Sequence, residues 1–397
     1  MTTPFSRIPQ PMIGMNYEPA PSDDTTNPPP TKYGDTDFAN DDFAALWNVD
    51  QNAVGRQDLQ TIKTLGCNTV KMYNWSVPPP PPNSYWERDH ANFLALCQSL
   101  GLSVIVPISN YFTATAYGNR TGGGQPGPNP SLQAWITQIV EEVYSTGGPG
   151  PAVMWAIGNE YDLCPPGSYG YFEATDVATI ASYIVAAEAQ LGVAAADVLA
   201  FTSPVSTAMP PLPNPSIPDT APYNTIMGGT AIQALTTAFT AAIGATATAQ
   251  RFIASVNSYQ IGAQLTQYYS AYHTVFPETP FFYGELGYSA YDNGATTQAQ
   301  NIYSQFSTTL PQSQPGSYFY GSCVFEFSDE LWKGSAESSE VMFGIYTFAS
   351  PNNPQTSNEG NHPPPPVTNA SYPVDQFAAR PAVQYFQAAI TGQPMPD

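Results

Sequence analysis

The chain has 397 residues, and its 10 Lys+Arg against 31 Asp+Glu give a formal net charge of -21, which repels nucleic acid and anionic membrane by the Coulomb term that attracts basic proteins to them. Only 10% of residues are charged while 42 are proline and 13% aromatic, so stiff loops and a surface of hydroxyls and amides are expected, with a neutral polyol as the natural partner. The length exceeds an ordinary single domain but suits one α/β barrel with long loops.

Strand-like and helix-like segments alternate along the whole chain, the pattern of a parallel sheet with crossover helices. After an N-terminal extension, 1–11, strands are expected at 12–17, 69–73, 103–108, 152–157, 198–202, 252–256, 280–284 and 321–327. Helices are expected between them at 54–65, 88–100, 132–144, 174–191, 231–243, 263–275 and 297–310, and a last one at 378–390. Leu59, Ile62 and Leu65 form one apolar stripe, and Phe93, Leu96, Cys97 and Leu100 another. The count predicts a (β/α)8 TIM barrel that forms one catalytic domain over 1–397.

Helix-to-strand joints are short and stop on glycine, at Gly66 and Gly101. The opposite joints are long and rich in Pro, Asn and Tyr, above all near 18–52, 203–230 and 328–373. That asymmetry predicts long loops on the carboxyl-end face, where such barrels carry function.

Two glutamates, Glu160 in AVMWAIGNE and Glu285 in PFFYGEL, each follow an apolar run of strand length. They would stand at the ends of strands four and seven, facing one another across the barrel mouth. Cleaving an acetal between sugars needs an acid for the leaving oxygen and a second carboxylate to attack the anomeric carbon, about 5 to 5.5 Å apart in a retaining enzyme. Trp75, Tyr111, Tyr161, Tyr288 and Trp332 fall just beyond strand ends, where flat rings can stack on pyranose faces.

His90, His273 and His362 have no metal-ligand spacing, and Gly122–Gly124 and Gly147–Gly148 lack the lysine and the strand context of a phosphate loop. No metal and no cofactor are expected. Cys67, Cys97, Cys164 and Cys323 read as buried free thiols, with Cys67–Cys97 the favoured pair if any bridge forms. No run of about 18 apolar residues occurs and the first residues lack a signal-peptide core. A soluble monomer is expected, with secretion left open.

These residues resemble clan A glycoside hydrolases, whose barrels carry an Asn-Glu acid/base after strand four and a Glu nucleophile after strand seven. Asn159-Glu160 matches the first and Glu285 the second. Within the clan the chain is most similar to the β-1,3-glucan-active families 72 (glucanosyltransferases) and 17 (glucanases). GMNYEP at 14–19 resembles the transferases' opening strand, LGCNTVKMY at 65–73 their strand two with Lys71 in place of arginine, Asn257-Ser258-Tyr259 their strand-six end, and Phe325-Glu326-Phe327 their strand eight.

The resemblance implies a retaining hydrolase or transglycosylase acting by double displacement on an oligo- or polysaccharide, with β-1,3-glucan favoured over β-1,4-mannan or β-1,4-glucan. It implies Glu160 as acid/base, Glu285 as nucleophile, Asn159 as donor to the sugar 2-hydroxyl and Tyr259 as partner of the nucleophile. Tyr17, Tyr73 and Glu326 would be sugar-subsite residues. The competing reading is a barrel of the same shape that binds glycan without cleaving it.

Overall fold

The computed structural model describes residues 4–22, 37–48, 55–76, 89–110, 112, 132–163, 172–207, 222–333, 339–349, 374 and 376–396. In chain order they form β1 (Met12–Asn16), α1 (Ala44–Trp47), α2 (Asp58–Thr64), β2 (Thr69–Lys71), α3 (Ala91–Leu100), β3 (Ser103–Ile108), α4 (Leu132–Val143), β4 (Ala152–Ile157) and α5 (Ala174–Gln190). There follow β5 (Ala200–Thr202), β6 (Pro204–Ser206), α6 (Gly229–Ile243), α7 (Ala245–Arg251), β7 (Ala254–Ser258), α8 (Ala263–Val275), β8 (Phe281–Gly287) and α9 (Ala290–Thr309). The last elements are β9 (Phe319–Phe325), β10 (Tyr346–Phe348), β11 (Phe377–Ala379) and α10 (Pro381–Ile390).

The main sheet has the order β5-β4-β3-β2-β1-β9-β8-β7-β6. It begins and ends on β5 and β6, which are two segments of one run separated only by Ser203. Nine segments therefore occupy eight strand positions, and the fold is the (β/α)8 TIM barrel expected from the alternation. No helix among the described residues is long and apolar enough to cross a membrane.

Packing groups the chain into two compact units. The first comprises 1–12, 105–286 and 308–322. Its strands pair in parallel, with Met154 opposite Ala200, Pro204 opposite Ser255 and Ser206 opposite Asn257. Every residue of β4 is buried, as expected for a strand covered on both faces. Helix α5 packs against α4 and α6. At its inner end the buried Glu188 receives both terminal nitrogens of Arg251 (2.8 and 2.9 Å) together with the Tyr144 hydroxyl (3.2 Å). The guanidinium lies 4.0 Å from the centre of the Phe201 ring. The pairing lets two charges sit in the interior without an orphan.

The second unit comprises 13–104, 287–307 and 323–397. Here Gly14 on β1 leaves room for the Cys323 thiol, which a Cβ at that position would strike. Helices α2 and α3 end at Gly66 (φ 99°) and Gly101 (φ 65°), the expected stops. Arg56 pairs with Asp58 (2.7 Å), and Arg380 reaches both oxygens of Asp329 (2.5 and 2.6 Å). Cys67, Cys97 and Cys323 are buried and none of them is in a disulfide. The Cys67–Cys97 bridge is not formed: burial pushes both thiols up, and the neighbouring thiol that acts on Cys67 is Cys323. Cys164 lies outside the described residues.

Several boundaries differ from the sequence reading. The fifth strand continues past 202 as β6, so the loop expected from 203 starts later. Helix α7 was not expected, because ATATAQR has no apolar stripe. The stretch expected as loop over 328–373 contains β10, which pairs antiparallel with β11 through Phe327, Tyr346, Phe348 and Phe377 packed ring to ring. The final helix therefore starts at Pro381, a residue whose fixed φ suits a first helical position.

Glu188→Ala would leave the Arg251 guanidinium buried without its carboxylate. It is expected to lower unfolding free energy by about 3–5 kcal/mol, read from urea denaturation at constant slope.

Candidate active site

Strand β4 ends by leaving regular geometry. Gly158 has φ 66° and Glu160 φ 52°, both left-handed. At 158 only glycine fits, since a Cβ there would lie 2.7 Å from the Phe172 ring. At Glu160 the same conformation is borne by a residue with a Cβ, a strain of about 1 kcal/mol. The turn is held from several sides. Gly158 N–H donates to the Ile108 carbonyl (2.8 Å), Glu160 N–H to the Pro204 carbonyl (2.9 Å), and the Asp162 carboxylate accepts from Ser206 N–H (3.1 and 3.2 Å). Asn110 faces Asn159 with both ends of its amide, accepting from the backbone N–H (2.7 Å) and donating to the backbone carbonyl (3.2 Å).

The second acid is presented by a bulge. Val256 on β7 lies opposite Tyr283, but the next residue, Asn257, lies opposite Glu285, so Gly284 is an extra residue in β8. Tyr283 packs outward against α8, its ring beside Tyr268 and its hydroxyl donating to the Leu265 carbonyl (3.3 Å). Strict alternation would send Glu285 the same way. The bulge turns it instead to the face shared by Ser255 and Asn257. Glycine is required at 284 because a Cβ would run into Ser255 and lie 2.9 Å from Asn257 Oδ1.

Asn257 joins the two ends. It is wholly buried, lies opposite Glu285 and donates from Nδ2 to Asn159 Oδ1 (3.2 Å). Tyr259, two residues on, donates its hydroxyl to Glu285 Oε2 (2.8 Å). Glu285 is 3% exposed; Asn159 and Glu160 are half-buried. Asn159, Glu160, Tyr259 and Glu285 are thus gathered on neighbouring strand ends of one unit. Burial pushes the Asp162 carboxyl up to about 6, against the Ser206 hydrogen bonds that pull it down.

The other expected site residues fare differently. Trp75 is 1% exposed and stacked on His90 at 3.6 Å, so its ring face is taken by protein. Tyr17 is wholly buried and donates to Asp58 (3.0 Å). Both stand inside the packing rather than on an open face. Tyr73, half-buried, donates to Asn16 Oδ1 (2.8 Å) and accepts from Lys71 (3.1 Å).

Glu326 is buried beside Glu330 and 3.4 Å from Lys333; burial, then its acidic neighbour, raises it well above the ordinary range. Its cation is Lys333. Tyr288 accepts from Asn293 (3.0 Å), and Trp332 packs partly buried against a cluster including Ala20, Phe43 and Leu46. Tyr161 donates to the Ala231 carbonyl (2.8 Å). Tyr111 and His362 lie outside the described residues. His90, expected on a helix, precedes α3 and pairs with Asp37 (2.7 Å). Asn110 and Asp162 carry no sequence signal of their own, and Asn257 is marked only as the first residue of the strand-six resemblance, without a role, whereas Gly284 inside an apolar run is a recognised mark of a bulge.

No family model and no curated protein matches the chain. Solved structures of similar fold are glycosidases, as the resemblance to clan A implies. A β-1,3-glucanase and allergen of Cryptomeria japonica pollen aligns with TM-score 0.51 and 14% identity over 85% of this chain and 95% of its own. A β-glucosidase from Thermotoga maritima in complex with deoxynojirimycin gives TM-score 0.52 and 10% identity over 86% of each chain. The exo-β-1,4-mannosidase Op5Man5 from Opitutaceae bacterium strain TAV5 gives 0.52 and 14% over 97% of this chain but only 60% of its own. The chain spans less than half, 47% and 42%, of two longer matched structures. At these identities the likeness is one of fold.

Strain at 160 is measurable. Elsewhere alanine is more favourable than glycine, but Glu160→Gly is expected to be more stable than Glu160→Ala by about 1 kcal/mol in paired urea titrations. Asp162 yields a pH signature. Burial holds its folded carboxyl up at about 6, above the ordinary 3.8 of a free aspartate, so between these values the native state holds more protons than the unfolded chain and stability falls as pH rises. Asp162→Asn should remove that slope, of order 1–3 kcal/mol, in midpoints compared from pH 4 to 7.

Proposed function

We propose that the protein is a retaining glycoside hydrolase or transglycosylase acting on a β-glucan, with β-1,3 linkages favoured. The observation that carries this reading is the Asn257 bridge: one buried residue lies opposite Glu285 and holds the side chain adjoining Glu160. Two acids 125 positions apart in sequence, counted from 160 to 285, are thereby attached to the same small patch of strand ends.

In this reading Glu285 attacks the anomeric carbon while Glu160 passes its proton to the departing glycosidic oxygen, leaving a glycosyl ester on Glu285. Glu160, now ionised, takes a proton from water or an acceptor hydroxyl, whose oxygen attacks the same carbon and frees Glu285. The Tyr259 hydrogen bond fixes the rotation of the Glu285 carboxylate for in-line attack, and Asn159 donates to the 2-hydroxyl, a contact that tightens as positive charge builds on the ring. The pollen β-1,3-glucanase supports the linkage; the mannosidase keeps β-1,4-linked substrates as the second reading.

Incubation with laminarin, pustulan, cellulose and mannan, with products resolved by size, tests this. Shorter products mean hydrolysis and longer ones transfer. Glu160→Gln and Glu285→Gln should each lower turnover by about 10³-fold or more with the thermal transition retained. Azide should restore Glu285→Ala as an α-glycosyl azide and Glu160→Ala as a β-glycosyl azide. A Glu285→Gln variant as fast as wild type would refute the nucleophile assignment, and four glycans returned intact would favour a binding barrel.

A further inference from the structure

We propose that Asn257 and Asn110 are positioning residues that turn the Asn159 carboxamide so that its N–H donors face the substrate, making the reaction depend on the sugar 2-hydroxyl. The inference rests on the glycosidase reading and adds to it the residues that aim one of its donors.

Asn159 has four polar groups, and three are committed. Its backbone N–H and carbonyl close a two-point contact with the Asn110 amide. A backbone N–H can only donate, so Asn110 must present its oxygen there and its nitrogen to the carbonyl. The sense of that contact is fixed by chemistry. The third group, Asn159 Oδ1, accepts from Asn257 Nδ2. What remains is Asn159 Nδ2, which has no partner among the described residues and belongs to a half-buried side chain.

Asn257 itself gains little from this orientation. Its own Oδ1 is buried without a hydrogen-bond partner, close to the space that Gly284 leaves open. An orphaned buried carbonyl oxygen is costly, so folding alone gives no reason to point the amide this way. The hydrogen bond to Asn159 does. A wholly buried side chain whose oxygen lies against Gly284 cannot swing its donor to solvent, and it keeps Asn159 oxygen-inward. Asn110 acts one step back, fixing the backbone from which that side chain springs.

The test compares 4-nitrophenyl β-laminaribioside with its analogue lacking the 2-hydroxyl on the sugar that bears the nitrophenyl group. Wild type, Asn257→Ala and Asn110→Ala are each assayed for kcat/KM on both. Asn110 is exposed, so its variant keeps the test open should Asn257→Ala fail to fold. Both variants are expected to lose about ten-fold or more on the 2-hydroxy substrate, by kcat rather than KM, and little on the 2-deoxy one, so that the preference for a 2-hydroxyl collapses. Equal losses on the two substrates, or an unchanged preference, would overturn the positioning role while leaving the glycosidase reading intact. A wild type that cleaves neither these compounds nor the glycans above would overturn both.

Discussion

Parallel pairing carries β4, β6, β7 and β8 in one direction, so residues at their carboxyl ends emerge at a common edge however far apart they lie in the chain. Asn159, Ser206, Asn257 and Glu285 all owe their proximity to that constraint. The split of the fifth strand at Ser203 serves it too: β5 pairs with β4 while β6 pairs with β7, and the Pro204 carbonyl at the break accepts from Glu160.

The two acids are delivered by opposite departures from regular structure. Glu160 comes off its strand through two left-handed residues, one of them itself, whereas Glu285 stays within β8 and is re-aimed by one inserted glycine. The left-handed turn is held by backbone contacts to Ile108 and Pro204, and the bulge by its pairing with β7. Strain and bulges concentrate where a side chain must point in a direction that the pleat does not supply.

Much of this was legible in the chain. Eight apolar runs, their spacing and the glycine stops at Gly66 and Gly101 depend on local periodicity and local backbone geometry, which a sequence carries directly. Glu160 and Glu285 were legible because an acid ending an apolar run has few structural reasons to be there. The β10–β11 pair was not, since its halves lie some 30 residues apart, between 346 and 377, and neither half alternates. Trp75 and Tyr17 were misplaced for one reason: a ring next to a strand end faces in or out according to the twist of the last residues, and sequence shows only that it is near. Asn110 looks like an ordinary loop residue, and the motif that holds Asn257 says nothing of its contact with Asn159, for an amide's partner across the sheet leaves no mark on its own neighbours.

Among the described basic side chains, Arg56, Lys71, Arg251 and Arg380 are buried and Lys333 is partly so. Arg56, Arg251, Arg380 and Lys333 are each held by a carboxylate, and Lys71 by the Tyr73 ring and hydroxyl. These cations are spent on internal pairing, and the chain as a whole carries an excess of 21 negative charges. Two copies meeting in dilute buffer therefore push each other apart over roughly 30 Å, and over only about 8 Å at physiological ionic strength. Colloidal behaviour follows from that excess: the molecule should stay dispersed when concentrated at low salt, and should crowd together once divalent cations or acid cancel its charge.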